Sequence, residues 1–226
     1  LAWRGKAGRG QARHGNLLKG ETMDTIKIYE IKATLRGLAP IMFDKFKDHA
    51  SPNLPMEQKV YADKEGRLVL PQANIMSFLV GENPGGIVKV DKQKKFREFC
   101  QIIKSHVNFM APAFPFLDGE GNEITSFDFH NNKIWGICNE AGVVKSSGGK
   151  IIKAEAKPRP YLELPWSLPI GIILTMTEFN QIVTPELMQD WFIKGGILVG
   201  VGTYRPRYGR FGIMDDEWRV SLKKEQ

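Results

Sequence analysis

From Thr25 to Arg36 the chain reads TIKIYEIKATLR, with apolar side chains on alternate positions: Ile26 and Ile28 in one phase, Ile31, Ala33 and Leu35 in the other. Period two places alternate residues on one face of a strand, and the change of phase predicts a bulge near Tyr29. Residues 37–66 have no such period and contain Pro40, Pro52 and Pro55, so they read as a long irregular insertion. A short strand follows over Arg67–Leu70, and Pro71 is placed to open a helix that runs through Val80 until GENPGG breaks it. Over Asp91–Val107 the period becomes 3.6. Phe96, Phe99, Cys100, Ile103 and Val107 fall on one stripe and predict a single helix. FMAPAFPF is held extended by its prolines, and DGEGNE is a turn.

Short strands are predicted around 134–138 and 143–144, then a hairpin tip at Ser146–Gly149 and strands at Lys150–Ala156, Tyr161–Leu164 and Leu168–Thr177. Thr184-Pro185-Glu186 supplies a hydroxyl cap, a proline at the first helical position and an acid in the first turn. Leu187, Met188, Trp191 and Phe192 give that helix its core face. Lys194-Gly195-Gly196 is its expected stop, with Ile197–Val201 extended and a last strand running through Trp218 to Leu222. The order strand, helix, strands, helix, strand predicts an α+β fold: a modified ferredoxin-like (RRM-like) βαββαβ domain with a long insertion and extra hairpins. No internal repeat is evident.

Residues 1–22 lack periodicity and are expected to be a disordered basic segment, with one α+β domain over 23–226. Two readings of that segment stand: a translated leader ahead of a natural start at Met23, or an arm that grips phosphates. It holds Arg4, Lys6, Arg9, Arg13 and Lys19 against Glu21, a net +4 of the chain's +7, so the remainder is only mildly basic. An anionic partner must therefore be argued from local clusters. At 226 residues, 42% hydrophobic and 25% charged, the chain can bury a core. Cys100 and Cys138 lie far apart and make no CxxC, which argues against a zinc site or disulfide framework and fits a cytoplasmic protein. The longest apolar run, Trp166–Met176, is far short of the ~20 residues a membrane helix needs. No cofactor, metal or membrane partner is expected.

The most unusual composition is VGVGTYRPRYGRFG, Val199 to Gly212, which has no acidic residue. It lacks the lysine of a Walker A loop, and it runs from a helix into a strand, the wrong context for a dinucleotide fingerprint. The chemistry fits a loop lying against a nucleic-acid chain. Gly200 and Gly202 would let backbone N–H groups approach phosphate, Arg205, Arg207 and Arg210 would offer forked donors, and Tyr204, Tyr208 and Phe211 would offer stacking faces. The bland alternative is a tight hairpin whose arginines pair with Asp215, Asp216 or Glu217. A second basic and aromatic cluster, KIIKAEAKPRPYLELPW, holds Lys153, Lys157 and Arg159 ahead of Tyr161 and Trp166, on a strand that could lie beside the one after the loop. An RNP1 octamer is absent, which argues against a true RRM. Lys92, Lys94, Lys95 and Arg97 oppose the dipole of their helix and serve either a partner or plain solvation.

LRGLAPIMFDK, LPQANIMSFL and GVGTYRPRYGRFG together resemble the opening strand, first-helix entry and glycine-rich loop of the RAMP superfamily, the Cas7-like RNA-binding subunits of CRISPR effector complexes. KPRPYLELPW with the glycine loop also resembles uncharacterised phage and prophage proteins. Gly200, Gly202, Gly209 and Gly212 match the loop pattern. The resemblance implies binding along a single-stranded RNA backbone and head-to-tail stacking of copies, or assembly with effector-complex subunits. The small positive charge of the body departs from it. Some members cleave RNA, through a histidine or through an aspartate after the first strand. Asp44 or Asp48 falls in the region of that aspartate and His49 is the candidate histidine, with His106 read as capping or packing and His130 as a turn residue. The leading expectation is a non-catalytic module for single-stranded RNA or DNA. The alternatives are a metal-dependent endoribonuclease using Asp44 or Asp48, and a phage structural or assembly protein using the same loop as a protein interface.

Overall fold

A computed structural model describes residues 26–45, 54–82, 85–92, 94–125, 135–139, 142–147, 150–156 and 158–225. The segment 1–22, Asp48, His49, His130 and Lys157 lie outside the described residues. The alternating segment forms β1 (Lys27–Gly37), with Ile31, Ala33 and Leu35 buried on one face. After the turn at Leu38–Pro40 comes β2 (Ile41–Met42). The irregular stretch ends in β3 (Val69–Pro71), and Pro71 caps α1 (Gln72–Val80).

The single helix expected over Asp91–Val107 is instead two, α2 (Ile87–Asp91) and α3 (Phe96–His106). The Asp91 carboxylate accepts a hydrogen bond from the Trp191 indole at 2.9 Å, tying the end of α2 to a later helix. Beyond it the Lys95 N–H donates to the Lys92 carbonyl at 2.7 Å, just ahead of α3. Next come β4 (Val107–Phe109), β5 (Ala113–Pro115), β6 (Trp135–Cys138), the hairpin β7 (Gly142–Ser147) and β8 (Lys150–Ala156), and β9 (Arg159–Leu162). The chain closes with β10 (Ser167–Met176), α4 (Pro185–Leu198), β11 (Phe211–Gly212) and β12 (Trp218–Glu225).

The main sheet is antiparallel, with β12 and β11 on one side of β1 and β10 then β4 on the other. The β1–β12 register shifts between Ile28 and Tyr29, where the change of phase predicted a bulge. The core lies between this sheet and the helices. Leu168, Ile170, Ile172 and Leu174 of β10 meet Phe78, Phe99, Ile103, Met188, Trp191 and Phe192. Phe78 packs on Phe192 with ring centroids 5.0 Å apart, and Phe99 sits edge-on to Trp191 at 5.8 Å. Such aromatic pairs add about 0.5–1.5 kcal/mol each beyond their area. A smaller sheet, β2–β9–β6, stands beyond the end of β1. Among the described residues no helix is long and apolar enough to cross a membrane.

Gly195 and Gly196 do not stop α4, which continues to Leu198. A Cβ on Gly195 would stand 2.7 Å from the Phe78 ring, and one on Gly196 would overlap the Phe211 carbonyl oxygen. These glycines permit close packing, so tertiary contact overrides their weak helix propensity. The start of α4 is as expected: Thr184 Oγ1 accepts from the Leu187 N–H at 3.3 Å, and Pro185 follows.

Candidate nucleic-acid interface

The glycine-rich loop is rooted at both ends by apolar side chains. Val199, Val201 and Phe211 are buried, and Phe211 packs on Phe78 at 5.4 Å. Between these roots the backbone is stitched to itself and to the turn after β1. The Val201 N–H donates to the Gly209 carbonyl at 2.9 Å, the Gly209 N–H to Pro40 at 2.8 Å, the Thr203 N–H to Met42 at 2.9 Å and the Leu38 N–H to Arg210 at 2.8 Å. Gly200, Gly202 and Gly209 all have φ between +72° and +79°. A Cβ on Gly209 would overlap the Val201 carbonyl oxygen, and one on Gly202 would come within 2.9 Å of the Met42 carbonyl oxygen. The glycines thus close the loop on its own fold. The Gly200 N–H, expected to face phosphate, donates to the Gly195 carbonyl at 2.9 Å at the end of α4.

That lacing leaves Thr203–Tyr208 as a projecting tip. Tyr204, with φ of 60°, Arg207 and Arg210 are exposed. The three arginines differ. Arg205 is half-buried, donating to the Gly200 carbonyl at 3.2 Å and to Ser77 Oγ at 3.3 Å, and burial pushes its guanidinium down from the usual arginine range. Arg210 donates to the Pro206 carbonyl at 2.9 Å. Both bond to neutral acceptors, so their charge is retained. Glu217, one of the expected internal partners, pairs with Arg36 instead.

The second cluster is not in the same sheet as the strand after the loop. β12 pairs with β1, β8 pairs with β7, and β9 lies between β2 and β6. The two clusters meet through side chains. The Tyr161 and Tyr208 rings are 5.7 Å apart at 47°, and Tyr204 and Tyr208 are 6.2 Å apart at 46°, giving a run of three tilted rings. A Cβ on Gly136 of β6 would overlap the Tyr161 ring, so this glycine lets the ring lie down on the small sheet. The Tyr208 phenol is pushed up to about 12, first by burial and then by its hydrogen bond to the Cys138 thiol. Tyr161 is raised as well, by burial and then by the Glu163 carboxylate. Both phenols stay neutral at ordinary pH and act as ring surfaces.

The chain matches no family model and no curated protein.

Arg159 and Asp44, expected in two different roles, bind each other. The Arg159 Nε donates to Asp44 Oδ2 at 2.8 Å, with the side chains 10% and 2% exposed. The Arg159 charge is neutralised inside the fold, which corrects its expected place on an outward face. Asp44 lies below the surface in the same pair. The backbone of Lys153 lies in β8. His106, read as capping or packing, ends α3 with Nδ1 3.1 Å from the Ile102 carbonyl and Nε2 3.2 Å from Thr177 Oγ1. Among the described residues no group of three or more His, Cys, Asp or Glu is placed to hold a metal ion. Tyr161 appeared in the sequence only as a neighbour of the basic cluster. Its partnership with Tyr208, 47 positions on in the chain, has no local signal.

Proposed function

We propose that this protein is a non-catalytic module that binds single-stranded nucleic acid, RNA ahead of DNA, along its glycine-rich loop. The observation that carries this reading is the rigidly rooted tip. It presents Arg207 and Arg210 outward beside three adjoining tyrosine rings. Guanidinium groups bind phosphate oxygens with forked donors, and tilted rings give unpaired bases surfaces to stack on. Preference for RNA rests on the RAMP-like motifs and on a ferredoxin-like reading of the fold. The sheet order β12–β1–β10–β4, with helices inserted after β1 and after β10, supports that reading. Asp44, buried against Arg159, offers little support for metal-dependent cleavage.

A labelled single-stranded oligonucleotide titrated by fluorescence anisotropy at several salt concentrations tests the proposal. Affinity falls with salt, and R207A/R210A flattens the log–log slope by about 0.7 per lost phosphate contact. A wild-type slope near zero, or one unchanged in the double variant, overturns it.

Exposed Ile193, Ile197 and Leu198 on α4, beside the root of the loop, favour a second reading: a protein interface used in stacking copies. That reading requires a stable oligomer after nuclease treatment, measured by light scattering.

A further inference from the structure

Beside the loop tip lies a cleft of about 360 Å³ lined by Ile137, Cys138, Asn139, Tyr161, Arg207 and Tyr208. It forms where the small sheet and the loop meet, so neither segment alone would reveal it. Two of its surfaces are aromatic, Tyr161 and Tyr208. Ile137 adds an apolar surface and is 47% exposed. Asn139, exposed at the end of β6, brings a neutral amide with donors and an acceptor side by side. Arg207 is the one formally charged residue at ordinary pH in this lining. The Tyr208 hydroxyl is turned to Cys138, so the ring rather than the phenol group serves an occupant.

We infer that this cleft receives one unpaired nucleobase of the bound strand. The base would stack on Tyr161 and Tyr208, with its polar edge at Asn139 and an adjoining phosphate at Arg207. Flat, apolar faces with a neutral hydrogen-bonding edge match a base, and the single cation at the rim matches its phosphate. A free anion would meet mostly uncharged surface, and an aliphatic side chain would leave the amide without a partner. The volume lies within the range of small-ligand sites. The inference rests on the proposed binding of single strands and adds the residues that would hold a base.

The test compares a short labelled oligouridylate with the same strand made abasic, which keeps every phosphate. Wild-type protein loses about five- to 150-fold in affinity on going abasic, with little change in salt slope. In I137A/N139A, both exposed, that abasic penalty shrinks at least fivefold. A penalty equal in wild type and I137A/N139A overturns the base cleft while leaving strand binding standing. Absence of salt-sensitive binding to either strand overturns both readings. Circular dichroism of I137A/N139A confirms that the fold is kept, and a penalty that survives in a folded variant counts against the cleft.

Discussion

Replacing Arg159 by methionine tests whether its charge belongs to the core or to a ligand. Its Nε lies 2.8 Å from Asp44 Oδ2, and the two side chains are 10% and 2% exposed. Breaking so enclosed a charge-assisted contact in low dielectric has a typical cost of about 3–5 kcal/mol. Native domains have only about 5–15 kcal/mol in total, so R159M should shift the urea midpoint far down while remaining folded in water. Replacing both charges by apolar groups removes the desolvation penalty along with the attraction. D44L/R159M is therefore expected to recover at least half the loss. The double-mutant cycle then reads a coupling of about 2 kcal/mol or more. The assay is urea unfolding followed by tryptophan fluorescence, with strand affinity measured on the same samples in native buffer. If R159M costs less than about 1 kcal/mol and instead lowers the salt slope of nucleic-acid binding, Arg159 faces a polyanion and the core assignment is wrong.

Gly66 and Gly209 share a left-handed backbone, φ +79° and +72°, but a Cβ on Gly66 meets nothing within 4 Å whereas one on Gly209 overlaps the Val201 carbonyl. G66A should therefore cost about 1–2 kcal/mol and G209A clearly more, and equal losses in urea unfolding would refute the close-packing account. T184A removes the oxygen that accepts from the Leu187 N–H and should cost about 0.5–2 kcal/mol, read as a fall in thermal midpoint. The Tyr208 phenol, pushed up to about 12, favours the folded state below the ordinary tyrosine value near 10. That contribution is lost as pH climbs from about 10 through about 12. An ultraviolet titration should show late tyrosine ionisation that loses one residue's amplitude in Y208F, with Tyr61 and Tyr161, raised as well, keeping theirs, and an unchanged late amplitude in Y208F would refute the assignment.

The elements with a strong local period were legible in the sequence. β1 with its bulge, α1 after Pro71, β10, the capped start of α4 and β12 each follow from alternation or capping chemistry. Misread features depended on contacts far along the chain. The Phe96–Ile103 stripe is periodic, yet the helix does not extend back to Asp91, which ends a separate short helix and is bonded to Trp191 a hundred residues away. Lys194-Gly195-Gly196 has the composition of a helix stop, but Phe78 and Phe211 need those glycines inside the helix. At the candidate site the sequence singled out the loop, and Tyr204, Arg207 and Arg210 are exposed on it. It missed that Arg159 turns inward, since the partner Asp44 lies 115 positions earlier.

Glycine in the loop has two physical explanations, and the geometry separates them. A loop made permissive for a ligand leaves its N–H groups pointing outward, whereas one closed on its own fold directs them to internal carbonyls. Here the N–H groups of Gly200, Val201, Thr203 and Gly209 go to Gly195, Gly209, Met42 and Pro40. Backbone capture of phosphate is therefore a poor basis for binding, and the glycine count by itself argues for a rigid base rather than for a ligand. Rigidity still bears on recognition, because ordering a floppy loop on binding opposes affinity, and a pre-laced tip avoids that cost. The prospect of binding thus moves from the glycines to what they hold in place: Arg207, Arg210 and the rings of Tyr204, Tyr208 and Tyr161. On that basis G209A, which removes no proposed contact side chain but unlaces the tip that holds them, should weaken strand binding as strongly as loss of a ring does. Undiminished affinity in a folded G209A protein would show that the tip does not need its lacing to bind.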